Sequence, residues 1–148
     1  MNAKQRIILV DDDPDDRELF AEAFDALKLQ AELLLCEDGS DFLKKLDRLD
    51  QSVSTLIFLD LNMPVISGIE VLKKLRNSLG LDKIFVAIYS TSTSEADIEN
   101  AYMNGAHGYI SKPSSFGKLT ALLGKTLKIA TSNSFKPLPK DRFLLNND

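Results

Sequence analysis

The chain has 148 residues, the size of one domain, and one core of that size buries roughly two-thirds of the unfolded surface, so no metal or disulfide staple is needed. A net charge of −4 argues against a nucleic-acid surface, which needs clustered Lys and Arg, and the single cysteine, Cys36, excludes an intrachain disulfide and fits a reducing compartment. The apolar run in MNAKQRIILVDDD stops at three aspartates, too soon for a signal-peptide core, and no run approaches the about 20 apolar residues of a membrane span. The chain reads as a cytoplasmic protein with neither nucleic acid nor membrane as partner.

Apolar runs alternate with helical patterns. RIILVD (6–11) reads as a strand, and PDDRELFAEAFDALKL (14–29) as a helix with Leu19, Phe20, Ala23, Phe24 and Leu27 on one face. Pro14 and the acids around it suit a helix N-terminus, and Asp13 reads as a cap or loop residue. AELLLCE (31–37) is a second strand, and GSDFLKKLDRL (39–49) a second helix with Ser40 or Asp41 as the cap candidate. STLIFLD (54–60) is a third strand, followed by a helix over 68–79 that Gly80 stops. KIFVAIYS (83–90) is a fourth strand, 94–105 a helix ending at Gly105, HGYIS (107–111) a fifth strand and 114–130 a fifth helix. Continuous apolar strands are buried on both faces, and their alternation with helices requires parallel crossovers, hence an α/β doubly wound sheet. After Ala130 the texture changes: residues 131–148 carry two prolines and no clean periodicity, and read as a C-terminal tail outside a domain of residues 1–130, too short for an output domain. Its Phe135, Phe143, Leu144 and Leu145 suit disorder, packing back onto the domain, or a clip onto a neighbouring subunit.

Ligands of such sheets sit beyond the carboxyl ends of the strands. Strand one ends at Asp11, Asp12 and Asp13, strand three at Asp60, strand four at Ser90 and Thr91, and strand five at Ser111, Lys112 and Pro113; Glu37 and Asp38 after strand two are less distinctive. Neighbouring carboxylates prefer a shared proton or a cation, and oxygen ligands of this kind suit Mg²⁺. A cation and a lysine together neutralise a phosphoryl group, and a carboxylate is a competent covalent nucleophile. Neither GxxxxGK[ST] nor GxGxxG is present, so nucleotide binding is not indicated.

ILVDDDP, LIFLDLNMPVISGIEVL, YSTS and GYISKP, in that order, resemble the receiver domain of two-component response regulators over roughly residues 5–130. Ser90 lies thirty residues and Lys112 fifty-two residues after Asp60, as in that family. The resemblance implies a flavodoxin-like (βα)5 fold with strand order 2-1-3-4-5. It implies that Asp60 accepts a phosphoryl group from a phosphohistidine donor, with Mg²⁺ or Mn²⁺ held by Asp12, by Asp11 partly through water, by Asp60 and by the Asn62 backbone carbonyl. Lys112 would pair with Asp60 and then with the phosphoryl oxygens. Ser90 would be the switch hydroxyl, Tyr109 the aromatic that moves inward with it, and Pro113 would follow Lys112 through a bond that is often cis in the family. The implied partners are a histidine kinase or phosphotransfer protein as donor, and an unidentified target or a second copy of the chain at the face of helix four, strand five and helix five. The start of the fourth helix further resembles stand-alone receivers associated with phytochrome-type kinases.

Thr91 departs from the family, where a very small residue follows the switch hydroxyl, and is expected to narrow access to Asp60. Other readings are a phosphorelay intermediate or an interaction module that is not phosphorylated. A Mg²⁺-dependent phosphohydrolase fits less well, because DLNMP lacks the second aspartate of DxDx[TV], and the chain is expected not to be an enzyme beyond its own phosphotransfer and dephosphorylation. His107 reads as a loop residue, Cys36 as a small buried hydrophobe, and the Lys44–Lys45 and Lys73–Lys74 pairs as solvated helix faces.

Overall fold

A computed structural model describes residues 5–50, 52–77, 83–132 and 135–146. Five strands, β1 (Gln5–Val10), β2 (Ala31–Cys36), β3 (Thr55–Leu59), β4 (Ile84–Ser90) and β5 (Gly108–Ser111), alternate with α1 (Pro14–Ala26), α2 (Gly39–Leu46), α3 (Gly68–Arg76), α4 (Glu95–Met103) and α5 (Phe116–Ser132). The sheet is parallel in the order β2-β1-β3-β4-β5, as expected.

Side chains alternate across the sheet, so each strand feeds two cores. Ile8, Val10, Ile57, Leu59, Val86 and Ile88 pack with Phe42, Val71 and Leu72 on one side. Ile7, Leu9, Phe58 and Ala87 pack with Phe20, Leu119 and Leu123 of α1 and α5 on the other. There Phe20, Phe58 and Tyr89 meet edge to face, with centroids 5.0–6.1 Å apart.

Helix starts follow local polar chemistry. Asp13 caps α1 by accepting from the Asp15 and Asp16 amides, Ser67 and Glu70 form a reciprocal box on α3, and Ser94 caps α4. The cap of α2 is Asp38, not Ser40 or Asp41: its carboxylate accepts from the Asp41 amide at 2.8 Å, which starts the helix one residue later. Gly105 follows α4 at φ +88°, a conformation costly for a side chain. The stop assigned to Gly80 lies outside the described residues.

The C-terminal segment does not stand apart from the domain. The Tyr109 amide donates to the Phe143 carbonyl at 2.9 Å and the Leu145 amide to the Tyr109 carbonyl at 2.8 Å, so the chain pairs in parallel with β5. Asn146 completes the pairing by accepting from the Ser111 amide and donating to its carbonyl. Leu138, Phe143 and Leu145 are buried, and Phe143 meets Tyr102 of α4 and Tyr109 of β5. Lys125 of α5 donates to the Leu145 carbonyl. The physical reason is that β5 would otherwise be an open edge, and an apolar segment that also satisfies its backbone is the natural cover.

His107 lies in the bend just before β5, a loop position as expected, but it is not solvated. It is buried against Phe85, and its Nδ1 accepts the Val86 amide at 3.0 Å. Burial, with Arg76 nearby, lowers its pKa to about 4. Cys36 is buried as expected, and burial raises its thiol pKa to about 12.

Candidate phosphoacceptor site

The strand register builds the site. Val10 pairs with Leu59 and Leu59 with Ile88, so β1, β3 and β4 end side by side. Pairing continues one residue further: the Asp11 amide donates to the Cys36 carbonyl, the Asp60 amide to Val10 and the Lys112 amide to Ser90, at 2.8–3.1 Å. Asp11, Asp60 and Lys112, just past the strands, are thereby tied to the neighbouring strand by a backbone bond.

One carboxylate oxygen from each of Asp11, Asp12 and Asp60 lies within 4.8 Å of the other two. Asp11 is fully buried, Asp60 is 6% exposed and Asp12 is exposed, so the cluster has one open side. Lys112 enters from β5, with Nζ 2.9 Å from Asp11 Oδ2, 2.8 Å from Asp16 Oδ2 and 3.6 Å from Asp60 Oδ2. It also lies 5.3 Å from the centre of the Tyr89 ring. Asp60 Oδ1 receives only a long contact, 3.4 Å, from the Asn62 amide.

Burial raises the Asp60 pKa to about 6; Lys112 opposes that shift and the Asp11 charge adds to it. Burial likewise raises Asp11. Desolvation works against the Lys112 cation, but its close contacts with Asp16, Asp11 and Asp60 hold its pKa well above the usual range. A pocket of this kind gains from a hard divalent cation, which relieves the repulsion between carboxylates. Asp11 Oδ2 supports the fit: it is buried and, although beside the Lys112 ammonium, receives no directed hydrogen bond. Asp11, Asp12 and Asp60 therefore suit Mg²⁺ or Mn²⁺.

Ser90 is fully buried at the end of β4, and its Oγ accepts the Ser92 amide at 3.2 Å. Tyr109 is fully buried, and its hydroxyl donates to the Ser92 carbonyl at 3.0 Å. Its ring lies inward, beside Phe143 of the C-terminal segment. Thr91 and Asn62 are exposed at the ends of β4 and β3. The Lys112–Pro113 peptide is trans, contrary to the cis bond considered from the sequence; trans is the preferred state of an X–Pro bond.

The β3–α3 loop is fixed by Gly68. Its amide donates to the Leu61 carbonyl at 2.9 Å, and a Cβ at this position would overlap the Asp60 carbonyl oxygen. The loop also carries Val65 at φ +67°, 94% exposed, with the Ile66 amide donating to Pro64 across it. A β-branched residue is strained there.

Sequence reasoning missed Asp16. It read as one of the acids that suit a helix N-terminus, whereas its side chain reaches Lys112. The available signal was the second acidic pair, Asp15–Asp16, one turn from the first in a chain whose lysine had to face that end of the sheet.

The family model for the response regulator receiver domain matches residues 7–124. The chain is 34% identical over 116 residues to the probable methanogenesis regulatory protein FilR2 of Methanothrix harundinacea, covering 76% of this chain and 75% of that protein. It is 31% identical over 115 residues to the response regulator Rcp1 of Synechocystis, covering 75% and 78%. The Mn²⁺-bound form of Rcp1 has a TM-score of 0.68 at 27% identity over 86% of this chain and 92% of that one. The phosphorylated cyanobacterial phytochrome response regulator RcpA has a TM-score of 0.75 at 30% identity, covering 88% and 96%. Several other curated relatives are longer, and the chain spans between 29% and 57% of them, so their whole-protein activities do not transfer. Among the described residues no helix is long and apolar enough to cross a membrane. The receiver motifs, the 2-1-3-4-5 sheet and the acidic pocket at its carboxyl edge agree with the family match: this chain belongs to the response regulator receiver domain family.

Proposed function

We propose that the chain is a phosphorylatable switch in which Asp60 accepts a phosphoryl group from a phosphohistidine of a histidine kinase or phosphotransfer protein. The observation that carries this reading is the clustering of Asp11, Asp12 and Asp60 with Lys112 Nζ 3.6 Å from Asp60 Oδ2. A carboxylate oxygen of Asp60 attacks phosphorus, the phosphorus–nitrogen bond to the donor imidazole breaks, and the electron pair leaves with the imidazole, which takes up a proton. Asp11, Asp12, Asp60 and the Asn62 carbonyl would hold Mg²⁺ or Mn²⁺, which supplies charge neutralisation for the transferring group. Lys112 adds the second positive charge and Ser90 a hydrogen bond. The Mn²⁺-bound Rcp1 and phosphorylated RcpA forms support both halves of this chemistry by analogy.

The signal leaves through the face of α4, β5 and α5. Ser90 and Tyr109 both bond to Ser92, which ties the pocket to that face. A phosphoryl group that draws the Ser90 hydroxyl shifts the balance between two packings of Tyr109. The partner on that face is a target protein or a second copy of the chain, and it meets a surface that includes the C-terminal segment. Thr91 slows small donors and water, so Thr91→Ala raises the autodephosphorylation rate.

Incubation with acetyl phosphate and Mg²⁺, read by intact mass, tests the central step. One added phosphoryl group, absent in Asp60→Asn and without Mg²⁺, is the expected result. No addition from acetyl phosphate or from a histidine kinase donor would leave the chain as an interaction module.

A further inference from the structure

Lys112 has a third partner that the proposed phosphoryl chemistry does not require. Of its three carboxylate contacts, that with Asp16 Oδ2 at 2.8 Å is a directed hydrogen bond, whereas Asp11 Oδ2 receives none and Asp60 Oδ2 stands at 3.6 Å. The ammonium is therefore held on the α1 side of the pocket, between Asp11, Asp16 and the Tyr89 ring.

The first turn of α1 is itself anchored. Asp13 accepts from the Asp15 and Asp16 amides, and Arg17 Nη1 donates to the Asp11 carbonyl at 2.8 Å. Asp16 is thus presented by a fixed scaffold rather than by a loose side chain on an unsupported loop. Its side chain is 33% exposed and that of Lys112 11%, so the pair is partly shielded from water.

We infer that Asp16 is a positioning residue that parks Lys112 away from Asp60 and competes with the phosphoryl group for the ammonium. The inference rests on the phosphoacceptor reading above and adds a residue that sets how strongly the pocket holds its phosphoryl group. Positive charge neutralised by Asp16 is withheld from a phosphoryl group on Asp60. The same carboxylate adds negative charge to a pocket suited to a divalent cation. Its removal therefore acts in opposite directions on the two ligands, whereas simple loosening of the site would weaken both.

The test is calorimetric titration of the full chain, first with Mg²⁺ alone and then with beryllofluoride at saturating Mg²⁺. Asp16→Asn is expected to tighten beryllofluoride by roughly three- to tenfold, the scale of one partly exposed charged hydrogen bond, and to weaken Mg²⁺ by a few-fold. Asp16→Glu restores both affinities toward wild type. Asp15→Asn removes the same charge one residue away and leaves beryllofluoride affinity within about twofold, because a screened surface charge contributes little. Equal affinities in wild type and Asp16→Asn, weakening of both ligands, or an equal response in Asp15→Asn would each overturn the inference. A wild-type chain that binds no beryllofluoride would instead sink the phosphoacceptor reading, and the inference with it.

Discussion

The acidic pocket and the C-terminal segment lie at neighbouring parts of the sheet and are held together by opposite means. In the pocket, strand register forces like charges close: Asp11 is fully buried beside Asp60, and burial raises the pKa of both. In the segment, backbone bonds to Tyr109 and Ser111 are satisfied while Phe143 and Leu145 are buried. The first region stores unfavourable electrostatics available for chemistry; the second adds stability without a reactive group.

Substitutions that separate the two properties test this contrast. The largest effect is expected from Asp60→Asn, which abolishes phosphoryl uptake in the mass assay. At pH 8 without divalent metal it raises the thermal midpoint, since an ionised carboxylate is removed from a site that disfavours it. Phe143→Ala does the reverse: it lowers stability by about 3 kcal/mol in urea titrations and leaves Asp60 able to take up phosphoryl groups. Equal phosphoryl uptake but unchanged stability in Phe143→Ala would mean that the segment is not part of the cooperative unit.

His107 sharpens the comparison through pH. Its folded pKa is lowered to about 4 and its unfolded value is near 6.5, so the unfolded chain binds the extra proton. The stability tied to neutral His107 is present above about pH 6.5 and is lost as pH falls toward 4, by up to about 3 kcal/mol. His107→Asn should flatten that part of the midpoint-against-pH curve; identical slopes in variant and wild type would contradict it. The smallest effect is expected at Val65. Val65→Asn relieves the positive-φ strain and raises stability by about 1 kcal/mol, measured by urea titration, with no loss of phosphoryl uptake.

Legibility in the sequence followed the same division. The gathering of Asp11, Asp12, Asp60, Ser90 and Lys112 at one edge was legible because each lies at or within two residues of the end of an apolar run, and a parallel sheet brings such positions together. The five strands and their helices were legible within a few residues for the same reason. The C-terminal packing was not, because FKPLPKDRFLL has neither helical nor strand periodicity and its burial depends on an edge formed far away in sequence. The burial of His107 was illegible on similar grounds: its loop position before β5 says nothing of the Val86 amide that faces it. Asp16 was hidden by its plausibility as a helix-start acid, a role compatible with its place in α1 but silent about Lys112.

The covered edge of β5 also bears on how copies of this chain behave at high concentration. An unpaired edge strand is a template on which another extended chain can continue a sheet, and many soluble proteins turn fibrous by that route. Here the Tyr109 and Ser111 amides and carbonyls are already taken by Phe143, Leu145 and Asn146 of the same molecule. Growth of intermolecular sheets is thereby blocked on the β5 side, and of the five strands β2 alone remains at the outside of the pairing order. There Glu32, tied to Arg6 at 2.7 Å, places a charge on the border strand.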